Sequence, residues 1–150
     1  MTITTNEVDE FFAAYGRRSN DALRRPPVED IDGMMESFGP FFVGASPRGI
    51  MGAATDGAFR DALAKGFERY RAIGGTSMEV SGVEVVPIDE FHVMAKVGWR
   101  FSYDRPKDGK RGVMQFTNVY FLNRSDGPLR IFAAVTPDEE SALRQEGLVS

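Results

Sequence analysis

After Gly75 the sequence changes to a hydrophobic period of two, and no helical pattern interrupts it before about residue 136. Residues 91–103 show this period most clearly, because one face carries seven apolar residues: Phe91, Val93, Ala95, Val97, Trp99, Phe101 and Tyr103. A period of two is typical of a strand with one buried face. Successive strands joined by short turns pair antiparallel, since parallel pairing needs a long crossover. An antiparallel meander therefore dominates the predicted fold.

Four strands make up this meander, at residues 77–86, 91–103, 112–123 and 129–135. A bulge is predicted near Gly82, and Ser125-Asp126-Gly127 supplies the last turn. Residues 112–123 are apolar on both faces, so the sequence does not indicate which face of this strand points inward. An antiparallel strand with one face in water normally alternates cleanly. We therefore expect this strand to be covered on both sides, with a homodimer formed through the outer face of the sheet.

Helical patterns precede the meander. The first is predicted at residues 7–18, where four apolar residues follow the spacing i, i+3, i+4 and i+7: Val8, Phe11, Phe12 and Tyr15. Asn6 is its expected N-cap. A shorter helix is predicted at 28–38, followed by a strand at 40–45 and a loop over 46–52.

Two further helices flank the meander. One is predicted at residues 56–73, with Thr55 or Asp56 as its cap and Gly74-Gly75 as its stop. Its apolar stripe consists of Phe59, Leu63, Phe67 and Tyr70. The last helix is predicted to start at Thr136-Pro137-Asp138-Glu139 and to run to about Gln145. Thr136 is its expected N-cap, Pro137 its first-turn proline and Glu139 its capping-box glutamate.

Composition narrows the classes of function. The 150 residues fit one domain, 1–150, and their net charge of −4 disfavours nucleic acid or an anionic membrane as a partner. The absence of cysteine excludes disulfides and thiolate metal sites. With His92 as the single histidine, a cluster of several imidazoles is excluded, and neither a metal nor a cofactor is expected. The amino terminus has no signal-like pattern, so we expect a cytoplasmic protein.

This order of elements resembles the nuclear transport factor 2-like superfamily, also called the polyketide cyclase or ketosteroid isomerase-like fold. The resemblance covers nearly the whole chain. It is carried by Phe11-Phe12-Ala-Ala-Tyr15, Phe41-Phe42-Val43-Gly44, the strand with Trp99, Val119-Tyr120-Phe121-Leu122, the turn Asp126-Gly127 and Leu129-Arg130-Ile131. It implies an α+β fold in which a curved antiparallel sheet forms a cystatin-like cone, with helices packed on its concave side and a C-terminal helix added.

The resemblance also implies a place for a catalytic acid. Isomerase-type and cyclase-type members carry a carboxylate at the end of the first strand, where it acts as a general base. Here that place reads Val43-Gly44-Ala45-Ser46, with no acid. A ketosteroid isomerase-type mechanism is therefore not expected.

Candidate site residues follow from the cone. Its interior is expected to be largely apolar, with a few polar groups that orient a ligand. The candidates for ligand binding are Tyr15, Phe42, Tyr70, Trp99, Asn118 and Tyr120. The candidates for acid–base catalysis are Asp56, His92 and Tyr120, with His92 expected on the strand face opposite Trp99.

Three functions stay open at this point. The first is a small-molecule-binding protein with an apolar pocket and a small hydrophobic ligand. The second is an acid–base enzyme, of the isomerase, dehydratase or hydrolase type, on a small hydrophobic substrate. The third is a protein-interaction module with a filled pocket. The volume of the pocket distinguishes the third function from the other two.

Overall fold

The computed structural model describes residues 2–125 and 127–150. Asp126 of the predicted last turn lies outside the described residues. The elements follow in the order α1 Thr5–Asp21, α2 Ile31–Glu36, β1 Phe38–Ser46, β2 Gly49–Ala54, α3 Gly57–Ala72, β3 Gly75–Pro87, β4 His92–Asp104, β5 Arg111–Asn123, β6 Arg130–Val135 and α4 Glu139–Gln145.

The strands form one curved sheet in the order β2-β1-β6-β5-β4-β3. The predicted meander of β3 to β6 is confirmed, and β3 has a register shift between Val80 and Gly82, where the bulge was expected. The sheet is mixed because β1 and β6 run parallel. A helix and four strands separate these two in the chain, which leaves enough length for β6 to return beside β1 in the same direction.

Side-chain alternation decides which face of the sheet is buried. On β4 the residues of the Trp99 face are buried, and Trp99 itself is 3% exposed. His92 projects from the opposite face, as predicted. On β5 the buried residues are Met114, Tyr120 and Leu122, whereas Val113 on the other face is 48% exposed. The face of β5 that points inward, which the sequence did not indicate, is therefore the one that carries Met114 and Tyr120.

Helix α1 covers β3 and is longer than its hydrophobic pattern predicted. The prediction of Asn6 as N-cap is wrong, because Thr4 accepts from the Glu7 amide and Glu7 reaches back to the Thr4 amide. This capping box begins the helix two residues earlier than a cap at Asn6 would. No helix within residues 2–125 and 127–150 is long and apolar enough to span a membrane.

Strand β2 replaces part of the predicted loop over 46–52. The chain turns at Gly49, whose φ of +131° favours glycine, and then pairs antiparallel with β1. All six residues of β2 are exposed. A strand without a buried face has no reason to alternate, so the sequence carried no period-two signal for it.

Helix α4 begins later than predicted. Its N-cap is Asp138, which accepts from the Ser141 amide, so the assignment of Thr136 as the cap is wrong. Thr136 instead directly follows β6, and its amide donates to the Ala45 carbonyl at 2.9 Å. The helix is anchored by Leu143, which is fully buried, and Gly147 at φ +73° follows its end.

Candidate functional site

A cavity of about 300 Å³ lies between the concave face of the sheet and helices α1, α3 and α4. Strands β4 and β5 form its floor through Trp99, Met114, Phe116, Asn118 and Tyr120. The cavity is mostly apolar, with a small number of polar groups at defined positions. Such a composition is typical of sites for small organic molecules.

Helix α3 explains why this space stays open. Its stripe of Leu63, Phe67 and Tyr70 faces the cavity, and no described residue of the helix is fully buried. Ala62 and Gly66 also line the cavity, and they have too little side chain to fill it. A Cβ atom placed on Gly66 would meet no neighbouring atom within 4 Å. The middle of the helix therefore spans the cavity, whereas Phe59 and Tyr70 pack against Phe38 and Phe101 of the sheet.

Tyr120 is the centre of a buried polar network. Its hydroxyl oxygen accepts one hydrogen bond from Trp99 Nε1 and one from Asn118 Nδ2, each at 3.1 Å. Burial raises the pKa of Tyr120, and the two donated hydrogen bonds oppose that rise. The hydroxyl is therefore neutral near pH 7, and its proton is available to an acceptor in the cavity.

Asn118 has one unused polar atom. Its side-chain oxygen Oδ1 is buried and has no hydrogen-bond partner within the described part of the chain. A buried acceptor without a partner is rare in folded proteins, because it loses its hydrogen bonds to water and gains none. Asn118 lines the cavity, but Oδ1 itself has almost no surface open to it.

Glu139 brings a carboxylate into the same cavity. The Tyr70 hydroxyl donates to Glu139 Oε1. Burial, followed by the charge of Glu139, raises the pKa of Tyr70 well above its ordinary value. The same charge raises the pKa of Tyr120, so Glu139 acts on both tyrosines. The arrangement places a proton acceptor, Glu139, and a proton donor, Tyr120, beside one apolar space.

Sequence reasoning missed Glu139 as a cavity residue. Its position three residues after Thr136 fitted a capping box, and that local interpretation accounted for the side chain. Asp138 performs the capping in the structure, which leaves Glu139 free to point into the cavity. The sequence showed an acidic residue near the start of a short terminal helix. This pattern does not distinguish a capping residue from a residue that lines the cavity.

Five of the six predicted ligand-binding residues line the cavity: Tyr15, Tyr70, Trp99, Asn118 and Tyr120. Phe42 does not line the cavity and packs instead on Phe38 and Phe59, with ring centroids at 5.3 and 5.8 Å. Tyr15 contacts both Trp99 and Tyr120, at centroid distances of 6.0 and 6.1 Å. The aromatic residues of the first helix and of the sheet thus meet at one wall.

Two of the three catalytic candidates lie away from the cavity. Asp56 caps α3 by accepting from the amides of Ala58 and Phe59. His92 contacts Asp89 through Nδ1 at 2.8 Å and Asn123 through Nε2 at 3.0 Å, beside a separate surface groove. The contact with His92 lowers the pKa of Asp89. Both candidates therefore have local structural partners.

The end of β1 carries no acid, so Val43 to Ser46 supply no general base. No group of three or more histidine or acidic side chains within residues 2–125 and 127–150 is arranged to hold a metal. The carboxylate of the cavity comes from α4 instead of β1.

Comparison with known proteins agrees with this architecture. Residues 6–139 match the model of the family described as NTF2-like protein (DUF6841). The fold is similar to that of an NTF2-like protein with a cystatin-like fold from Novosphingobium aromaticivorans, with TM-score 0.65, 17% identity, and coverage of 97% of this chain and 88% of that one.

Two other solved structures share the fold. The protein Aln2 from a Streptomyces species has a TM-score of 0.64 at 15% identity, over 97% of this chain and 99% of that one. A ketosteroid isomerase-like protein from Erwinia carotovora atroseptica has a TM-score of 0.57 at 16% identity, over 88% and 90%. No curated protein matches the sequence. The resemblance found in the sequence is confirmed, and the chain belongs to the NTF2-like family DUF6841.

Proposed function

We propose that this protein binds a small, largely apolar molecule in the cavity between α3 and the sheet. The observation that carries the proposal is the open volume of about 300 Å³ with polar groups at one wall. Protein interiors are otherwise packed with few voids larger than a water molecule. A space of this size favours a ligand over a pocket filled by side chains.

The polar groups supply orientation. Tyr120 is held by Trp99 and Asn118, so that its hydroxyl proton points to a defined place. Glu139 is held by Tyr70. Fixed donors and acceptors at the wall of an apolar cavity give specificity, because a ligand that leaves them unpaired binds weakly. An acid–base enzyme would use these same groups and would also have to bind its substrate, so binding is the first property to measure.

We expect Gly66→Leu to weaken ligand binding at least about tenfold, because the new side chain enters the open volume. The measurement is native mass spectrometry of the protein equilibrated with neutral apolar alcohols and ketones. Affinities follow from the emission of Trp99, the single tryptophan, which lines the cavity. Gly66→Ala is the matched control. It should keep binding and raise the unfolding free energy by about 0.5–1 kcal/mol, as alanine favours a helix.

Two outcomes would contradict the proposal. One is a wild-type chain that retains no compound from the set. The other is Gly66→Leu binding with the affinity of wild type, which would place the binding site outside this cavity.

We also propose that a second copy of the chain covers the outer face of the sheet. Val113, Phe132 and Val135 are 48%, 37% and 46% exposed there, and Val135 pairs in register with Val119 of β5. When another surface covers apolar side chains grouped on one face of a sheet, their removal from water makes the association favourable. The two-sided apolar pattern of β5 also supports this proposal.

Light scattering after size-exclusion chromatography should give about twice the chain mass of 16.6 kDa. Val135→Glu should shift the mass towards one chain, because it would bury a carboxylate at the interface. The matched control is Val28→Glu, a residue 52% exposed in the loop before α2, which should leave the mass unchanged. A single-chain mass for wild type would defeat this proposal.

A further inference from the structure

We propose that the cavity selects a protonated amine: a small organic cation with an apolar body and at least one N–H group. This inference rests on the proposed function, because it requires the cavity to bind a ligand. It adds the charge and the hydrogen-bonding character of that ligand. Three features of the cavity wall support it: the charge of Glu139, the acceptor positions that this carboxylate leaves open, and the aromatic rings.

The charge of the wall is negative. Among the described residues that line the cavity, Glu139 is the one with a formal charge. The nearby cation Arg69 forms its ion pair with Glu140. Glu139 accepts a hydrogen bond from Tyr70, which stabilises the carboxylate but does not neutralise it. A carboxylate in an apolar space attracts a counter-ion more strongly than one in water, and it repels anions.

The wall also has an acceptor that is only partly used. The Glu139 carboxylate can accept further hydrogen bonds beside the one from Tyr70. An ammonium group supplies several N–H donors and no acceptor. It therefore fits the open acceptor positions of Glu139, which a carbonyl compound would leave unpaired.

Aromatic rings supply the third feature. The cavity is lined by Tyr15, Phe67, Tyr70, Trp99, Phe116 and Tyr120. The face of an aromatic ring attracts a cation that lies within about 6 Å of its centre, and tryptophan does so most strongly. Tyr15 and Trp99 meet at a centroid distance of 6.0 Å, so that a ligand at this wall contacts both rings. Such a wall binds the apolar body and the charged group together.

Three probes of similar size test the charge directly: 2-phenylethylamine, 2-phenylethanol and 3-phenylpropionate. At pH 7 they carry a positive charge, no charge and a negative charge. Titrations followed by Trp99 emission should give the amine at least about tenfold higher affinity than the alcohol. The carboxylate should bind more weakly than both, since Glu139 repels it.

Glu139→Gln removes the charge while keeping an acceptor for Tyr70. We expect it to reduce the preference for the amine over the alcohol to about twofold or less, with the affinity for the alcohol retained. The matched control is Glu84→Gln, which changes the net charge equally at an exposed residue of β3 outside the cavity lining. It should keep the full preference.

Equal affinity of wild type for the amine and the alcohol would overturn this inference and leave the proposed function standing. Binding of none of the three probes would also overturn it, and the set of neutral compounds then decides the proposed function separately. An unchanged preference in Glu139→Gln would show that the charge does not act. The probe series on wild type decides the inference even if this variant does not fold.

Discussion

Replacing Phe12 with alanine is expected to lower the free energy of unfolding by about 3–5 kcal/mol. Phe12 on α1 is fully buried and packs against Tyr120, with ring centroids 5.1 Å apart. Its ring also meets Phe11 edge-on at 5.0 Å. Removing it takes away a large apolar surface and leaves a void that the sheet cannot close. Chemical denaturation followed by circular dichroism measures the change.

Phe41→Ala is the matched control, because Phe41 on β1 is 68% exposed. Its unfolding free energy should stay within about 0.5 kcal/mol of wild type. Equal losses for Phe12→Ala and Phe41→Ala would contradict the assignment of α1 to the core. Since Phe12 contacts Tyr120, any Phe12 variant that still folds should also show a changed cavity wall.

Leu143→Ala is expected to cost about 2–5 kcal/mol and to loosen α4. Leu143 is fully buried, and it is the one residue of α4 in the core among those described. Because α4 carries Glu139, its release should withdraw the carboxylate from Tyr70. Denaturation measures the loss of stability, and amide hydrogen exchange shows whether protection within α4 falls.

Leu143→Met keeps the side-chain volume and should cost less than about 1.5 kcal/mol. This variant shows whether the loss of stability in Leu143→Ala comes from the lost side-chain volume or from replacing leucine by any other residue. Unchanged exchange in α4 of Leu143→Ala would show that other contacts hold the helix. The ion pairs of Arg48 with Asp138, at 3.0 Å, and of Arg69 with Glu140 are the alternative anchors.

The strands were predictable where one face is buried and the other is exposed. On β4 the period of two follows from alternation across the sheet, so Trp99 and Phe101 could be assigned to the buried face in advance. β2 lacked this signal because both of its faces are exposed. The start of α1 was predicted incorrectly at Asn6, because the capping box of Thr4 and Glu7 begins the helix.

The aromatic part of the cavity was also predictable. Tyr15 and Tyr70 belong to apolar stripes of helices, and Trp99 belongs to the alternating strand. The spacing of the apolar residues therefore predicted that each of the three side chains faces the interior. The resemblance to a known fold then placed these faces around one space. Phe42 belongs to a strand as well, but it packs on Phe38 and Phe59 instead of lining the cavity. A single strand cannot show how far along its length a cavity extends.

The sequence by itself determined the α+β class, the meander of β3 to β6 and the aromatic character of the interior, because local periodicity reports burial. Tertiary structure decided that β1 lies parallel to β6, that Tyr120 faces inward on β5, and that Glu139 enters the cavity. These outcomes depend on how distant segments dock. The position of Glu139 is set by the packing of α4 on the core through Leu143. The local sequence around Glu139 does not show where this helix packs.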